Sequence, residues 1–403
     1  MTQGILILLF MLAIMGLMVT RKMPTVLALF VLTVGICLIG GVPPMAVDAE
    51  GNAVGFLQTV MQSGAVKLGD AIMVAIFAGW LGMVMEKTRI SETMIKKGAE
   101  LGGDKTFIVT IILFTVAALL FTTVNGLGTV IMIGTIVIPI LVSVGAEFDD
   151  TFKILLICAV GAYLAGIVFI IFRYRKMGRK YAFSAPACET EEELYQVKGV
   201  MGGFAMATPL IPLVLVIGFK LPLIPAFLLS IVWACIFTSL RAGWKRTMNM
   251  LTKTLFDGFS AAAPSVTLMI GIGMLLQAIN QPSVKEALEP IMRMVTPSNT
   301  IGFVIFFIVL APLCLYRGPL NVWGLGAGIA ALMASLNLLP LNVIMGGFCA
   351  VSTMQLLCCP TNTHNVWVSS YTGEEVTSVT RRLILWIWPV VIVGVIATAV
   401  LYM

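Results

Sequence analysis

The residues with chemistry to offer fall in three short polar stretches, each set inside apolar sequence. The last of them is Cys359-Pro360-Thr361-Asn362-Thr363-His364-Asn365, between an apolar run from Leu341 to Cys358 and another beginning at Val366. Pro360 has no backbone N–H to give a helix. A helix broken inside a bilayer leaves free N–H and C=O groups that hydrocarbon cannot satisfy. Such a break persists where it lines a cavity or binds something polar, as at the midplane sites of many secondary transporters. The alternative is a short extramembrane loop between two helices. Thr361, Asn362, Thr363 and Asn365 offer hydroxyl and amide groups to a substrate or a cation. His364 is the only histidine of the chain and titrates near neutral pH. It can bind substrate, take a coupling proton, or simply hydrogen-bond within the fold.

The second stretch is Tyr316 to Gly326, with Arg317, Gly318, Pro319 and Asn321, in the middle of an apolar run from about Thr300 to Leu338. An arginine at the centre of a bilayer costs about 2.5–3.5 kcal/mol on insertion scales and faces a cavity or a counter-charge. Its own run holds no Asp or Glu, so an anionic substrate is a natural partner, and a guanidinium fork matches a carboxylate. An arginine snorkelling at a membrane face is the alternative. The third stretch, Thr122-Thr123-Val124-Asn125-Gly126-Leu127-Gly128-Thr129, offers three hydroxyls, one amide and two glycines that let a backbone approach a ligand closely. Thr122, Thr123, Asn125 and Gly126 are substrate candidates. Asn125, Gly128 and Thr129, with Asn362 and Asn365, are candidates for a Na⁺ site; a plain tight turn is the other reading. Asp70 and Asp257 read as helix caps. Nothing resembles a catalytic triad, a metal-ligand cluster or a paired-carboxylate site, so an enzyme is not expected and no cofactor is implied beyond a coupling ion.

These stretches need elements to hold them, and composition says which. The chain is 59% hydrophobic and 11% charged over 403 residues, with mean hydropathy +1.04; soluble domains carry roughly 25% charged residues. This is the composition of an all-α polytopic membrane protein with the bilayer as its main partner. The net charge of +6 is no nucleic-acid signature, because the basic residues cluster beside hydrophobic segments. Eight cysteines lie scattered without a CxxC pair and read as reduced apolar residues. The first hydrophobic segment lacks a basic leader and a small-residue cleavage site and reads as a retained span.

Spans are expected at about 5–19, 24–41 and 70–85, with a short interfacial helix at 54–66. A run from Thr106 to Gly145, interrupted at Thr122–Thr129, fits a re-entrant hairpin, since each half is short for a ~30 Å core. One span at about 152–172 leads to the basic cluster Arg173–Lys180 and a polar linker. Then follow spans at about 200–219, 222–240 and 258–279, the interrupted run 300–338, the broken segment around Asn362, and a final span at 383–401. The order of pieces repeats, giving a first repeat at 1–180, a linker at 181–199 and a second repeat at 200–403. Gly126-Leu127-Gly128 corresponds to Gly324-Leu325-Gly326, and Gly69-Asp70 to Asp257-Gly258.

The positive-inside rule places both termini outside and the linker 173–199 in the cytoplasm of a cell inner (plasma) membrane protein. The second half obeys the rule as it stands. The first half does so only if it is short by one half-helix, loop and return, roughly 20–35 residues near Gly161–Leu164, where no polar break exists.

A polar hairpin tip in each half, together with Arg317-Gly318-Pro319-Leu320-Asn321 and Pro360-Thr361-Asn362-Thr363, resembles the ion transporter superfamily. The citrate–proton symporters are the nearest likeness, with the C4-dicarboxylate and gluconate carriers further away. The resemblance covers nearly the whole chain. It implies two inverted repeats, each with spans, a re-entrant hairpin and a broken helix, in an elevator-type carrier. It also implies a common homodimer moving di- or tricarboxylates with Na⁺ or H⁺. Two departures stand out: the first half lacks the family's polar break, and Asn125 sits where citrate carriers tend to be acidic and Thr-rich. The expectation is a cation-coupled symporter of a small carboxylate such as citrate or a C4-dicarboxylate. A passive anion channel, or a membrane subunit of a larger complex, is the alternative.

Overall fold

The computed structural model describes residues 2–20, 22–47, 54–91, 93–94, 97, 107–108, 111–112, 114–115, 148–177, 199–239, 243–297, 299–322, 325–360, 362, 365 and 375–403. Every regular element among them is helical. In chain order the main helices are α1 (Thr2–Val19), α2 (Thr25–Ile39), α3 (Gly69–Lys87), α4 (Phe148–Met177), α5 (Gly199–Met206), α6 (Ile211–Phe219) and α7 (Leu223–Phe237). They continue as α8 (Trp244–Ile279), α9 (Pro282–Val295), α10 (Thr300–Val309), α11 (Leu325–Ser335), α12 (Leu341–Cys358) and α13 (Val376–Tyr402).

Prolines and asparagines punctuate this string. Pro24, Pro222 and Pro340 sit in extended conformation immediately before α2, α7 and α12, and Pro282 opens α9, positions where a missing N–H costs nothing. Asn299 caps α10, its side-chain oxygen accepting from the Gly302 N–H at 2.6 Å. The single span expected at 200–219 forms in contiguous pieces: α5 ends at Met206, a 3₁₀ turn covers Thr208–Leu210, and α6 follows, with helical backbone carried through from Gly202 to Val216. Pro209 and Pro212 withhold two N–H groups there, which sequence hydropathy alone does not register. The span expected at 258–279 is the later part of α8, which starts at Trp244 and takes in the amphipathic stretch before it. Around the expected interfacial helix, a π-helical turn (Leu57–Gln62) runs into Ser63–Val66. At Gly161–Leu164 α4 is one uninterrupted helix, as an apolar sequence without proline dictates.

The chain divides into two compact units, each discontinuous in sequence: residues 1–69, 133–166 and 267–403, and residues 70–132 and 167–266. In the second unit Val74, Ala78, Leu81 and Met85 of α3 pack with Phe227, Ile231, Ala234 and Cys235 of α7 around Ala205 and Met250. The indole N–H of Trp80 donates to Thr254 Oγ1 at 3.2 Å. Beside it Gly79 and Gly258 touch backbone to backbone: a Cβ on Gly79 would lie 2.7 Å from the Gly258 oxygen.

In the first unit α12 is the interior helix. Of its 18 residues 78% are buried, against 39% of the apolar window of α13. Hydrocarbon gives no hydrophobic drive for this packing, so close van der Waals fit has to supply it. Small residues four apart on both helices provide that fit. Gly346 receives Thr398, and Gly394 meets Ala350, whose Cβ would be 2.9 Å from a Cβ at 394. On another side Phe307 packs edge-on to Phe348 with ring centres 5.5 Å apart and lies over Gly347. Gly64 and Gly273 make a second backbone-to-backbone approach, a Cβ on Gly64 falling 2.6 Å from Met274 Cα. Among the described residues, three helices are long and apolar enough to cross a membrane unaided: Lys153–Arg173 within α4, α12 and α13. Thr2–Met18, Val26–Ile39, Gly202–Val216 and Leu223–Phe237 are shorter apolar helices.

Candidate functional site

The described part of the candidate site consists of two breaks in the first unit, the turn between α10 and α11 and the C-terminal end of α12. A 3₁₀ turn at Ala311–Arg317 follows α10 and packs against α12. The chain reverses where Leu315 turns extended (ψ 158°) and Tyr316 takes a left-handed conformation (φ 54°), which is uncommon for a non-glycine residue. The backbone of Arg317 closes this turn.

Gly318 and Gly326 then allow the loop to fold onto itself. A side chain at 318 would strike the Leu313 carbonyl, and a Cβ at 326 would lie 2.7 Å from the backbone N, C and O of Asn321. The Gly318 N–H donates to Leu315 O at 3.1 Å, the Asn321 N–H to Gly318 O at 3.0 Å, and the Gly326 N–H to Asn321 O at 2.9 Å. Asn321 is fully buried, and its side-chain N–H donates to Cys314 O at 2.6 Å. Asn321 therefore locks the tip, holding Arg317 and Pro319 on a fixed backbone.

At the other break, α12 ends at Cys358 and Cys359 becomes extended. The last carbonyls of a helix have no partner within it. Here side chains supply partners for five in succession. Asn362 Nδ2 donates to Gln355 O at 2.7 Å and Leu356 O at 3.1 Å. Asn365 Nδ2 donates to Leu357 O at 3.3 Å and Cys359 O at 2.9 Å. Thr380 Oγ1, from the first turns of α13, donates to Cys358 O at 2.7 Å. A return contact completes the set, Gln355 Nε2 donating to Asn362 Oδ1 at 3.1 Å. The break is thus closed by its own amides.

Of the residues expected from sequence, Gly318, Pro319, Asn321 and Asn362 belong to these two breaks, along with Asn365 and the backbone of Arg317. Thr122, Thr123, Asn125, Gly126, Gly128, Thr129, Thr361, Thr363 and His364 lie outside the described residues. Sequence reasoning missed Gln355 and Thr380. Apart from Asn342 at its start, Gln355 is the only amide in the run Leu341–Cys358, and that was the available signal. Among the described residues no group of three or more His, Cys, Asp or Glu could hold a metal ion. The oxygens at the breaks are amide, hydroxyl and carbonyl, which suit a hard cation rather than a transition metal.

No family model and no curated protein matches the sequence. In three dimensions the chain is similar to a transporter. The crystal structure of the Alcanivorax borkumensis YdaH transporter, reported to have an unusual topology, aligns over 99% of this chain and 98% of that one. The TM-score is 0.61 at 11% sequence identity. The likeness is one of fold, and the described residues are helical throughout their regular elements.

Proposed function

We propose that the chain is a secondary active transporter, a cation-coupled symporter of a small organic carboxylate such as citrate or a C4-dicarboxylate, in the ion transporter superfamily. The observation that carries this reading is the pairing, within one unit, of the locked Arg317–Asn321 tip with a helix end closed by amides. Both are irregular backbone in an apolar chain, and such backbone at membrane depth is buried in protein or lines a cavity, as at the midplane sites of transporters. Arg317 supplies a planar cation for a carboxylate. The runs that hold these breaks contain no Asp or Glu, which favours Na⁺ over H⁺ as the coupling ion; proton coupling would fall to His364 or to the substrate.

Inverted repeats, an elevator mechanism and a homodimer are part of the same reading. The close-approach glycines support the repeats. Gly258 follows Gly64, and Gly273 follows Gly79, by the same 194 positions (258 less 64, 273 less 79), so one offset carries each glycine pair onto the other and sets Gly258 opposite Gly64 rather than opposite Gly69.

The test is thermal stabilisation of purified protein by a panel of carboxylates, each in Na⁺ and in choline buffer at two pH values. A ligand that binds only the folded state raises the melting temperature. One carboxylate should do so in Na⁺ and not in choline, and Arg317→Ala should abolish the shift. A panel with no shift in any condition overturns the carboxylate reading.

A further inference from the structure

One atom of the closed break is left over. Gln355 is 1% exposed, and its Oε1 is buried with no hydrogen-bond partner among the described residues. Which atom this is follows from the network. Asn362 Nδ2 faces two carbonyl oxygens, Gln355 O and Leu356 O, which only accept, so the nitrogen belongs there and Oδ1 points the other way. That Oδ1 takes a donor from Gln355 Nε2. Turning the Gln355 amide over would set two oxygens against each other. Both amides are therefore fixed, and the unpartnered acceptor is an oxygen.

The chemistry of what it accepts is narrow. A dehydrated cation needs several oxygens turned toward it, and here the side-chain N–H and O–H groups of Asn362, Asn365 and Thr380 occupy the approach to the carbonyls of residues 355–359. An ammonium brings three donors and a charge, against one open acceptor. An ionised carboxylate only accepts and offers this oxygen nothing. One donor on a neutral group matches one acceptor: a water supplies it in the absence of substrate, and a small carboxylate can supply it as a hydroxyl that displaces the water. Resting on the carboxylate reading above, we infer that Gln355 is a specificity-determining residue whose Oε1 accepts a hydrogen bond from a hydroxyl of the substrate. The transporter then favours hydroxy acids over their deoxy counterparts, because binding a deoxy acid leaves the buried oxygen without a donor.

The experiment measures affinities of the purified full chain for two matched pairs, citrate with tricarballylate and malate with succinate, in wild type and in Gln355→Met. Wild type is expected to prefer the hydroxy acid of the pair it binds at least tenfold, and Gln355→Met to bring that ratio close to one. If Gln355→Met does not fold, Gln355→Asn, which draws the amide back by one methylene, carries the same expectation. Equal wild-type affinity within a pair overturns this inference and leaves the carboxylate reading standing. So does a preference that survives at position 355. Failure of all four acids to bind overturns the carboxylate reading, and this inference with it.

Discussion

At the scale of single residues, Asn362 shows what a sequence leaves open in a side chain with two polar ends. As a candidate ligand it offers an oxygen and a nitrogen, and in the structure the nitrogen closes two carbonyls of α12. Aspartate is then no substitute, since an ionised carboxylate cannot donate. We predict that Asn362→Asp destabilises at least as much as Asn362→Ala. Each removes the two hydrogen bonds that Asn362 Nδ2 donates inside a buried network, at about 0.5–1.5 kcal/mol apiece, a fall of a few degrees in the melting temperature of purified protein. Asn362→Asp that instead gained stability in Na⁺ would mean that the oxygen faces a cation. Gln355 was less legible. An amide in an apolar run is read as part of the helix, and its partner seven residues further on becomes visible only once the chain turns back at Pro360.

At the scale of elements, the breaks themselves were readable because proline and glycine act through the backbone and leave a local mark. A helix ends at Cys358, just before Pro360, and Gly318 and Pro319 lie in the loop between two others, within the breaks expected there. The packing that holds α12 in place was not readable, because it depends on which small residues face each other across 44 to 52 positions of chain. Gly346 with Thr398 and Ala350 with Gly394 make an antiparallel seam, and seams of small residues are how helices associate without a hydrophobic drive. Gly394→Leu is predicted to force α12 and α13 apart. Since Thr380 of α13 caps the Cys358 carbonyl, the damage should reach the break: a lower melting temperature in detergent accompanied by loss of any carboxylate-induced shift. Gly16→Leu, at a glycine with open space around it, is the control expected to change neither.

At the scale of the whole molecule, hydropathy announced a helical membrane protein, and the fold is helical and shared end to end with a transporter. The division into units escaped sequence reasoning. Each unit draws on both sequence halves, whereas a reading in chain order groups neighbours along the chain. Orientation remains a matter for the basic residues. Arg381 and Arg382 lie near the start of α13, and Lys245 and Arg246 near the start of α8. The positive-inside rule puts both starts in the cytoplasm. A reporter active only outside the cell, fused after Met403, is predicted to be active, and the same reporter inserted in the linker at 181–199 to be silent. The reverse pattern would invert the assignment.

The closed end of α12 has a further consequence for the molecule in its membrane. Five successive carbonyls, from Gln355 to Cys359, have their partners in the protein itself, so this helix end needs no file of waters to solvate it. Protons hop along such files. On the reading proposed above, a helix end whose carbonyls are closed by side chains offers protons no such file at this point of the chain, as a carrier driven by a cation gradient requires.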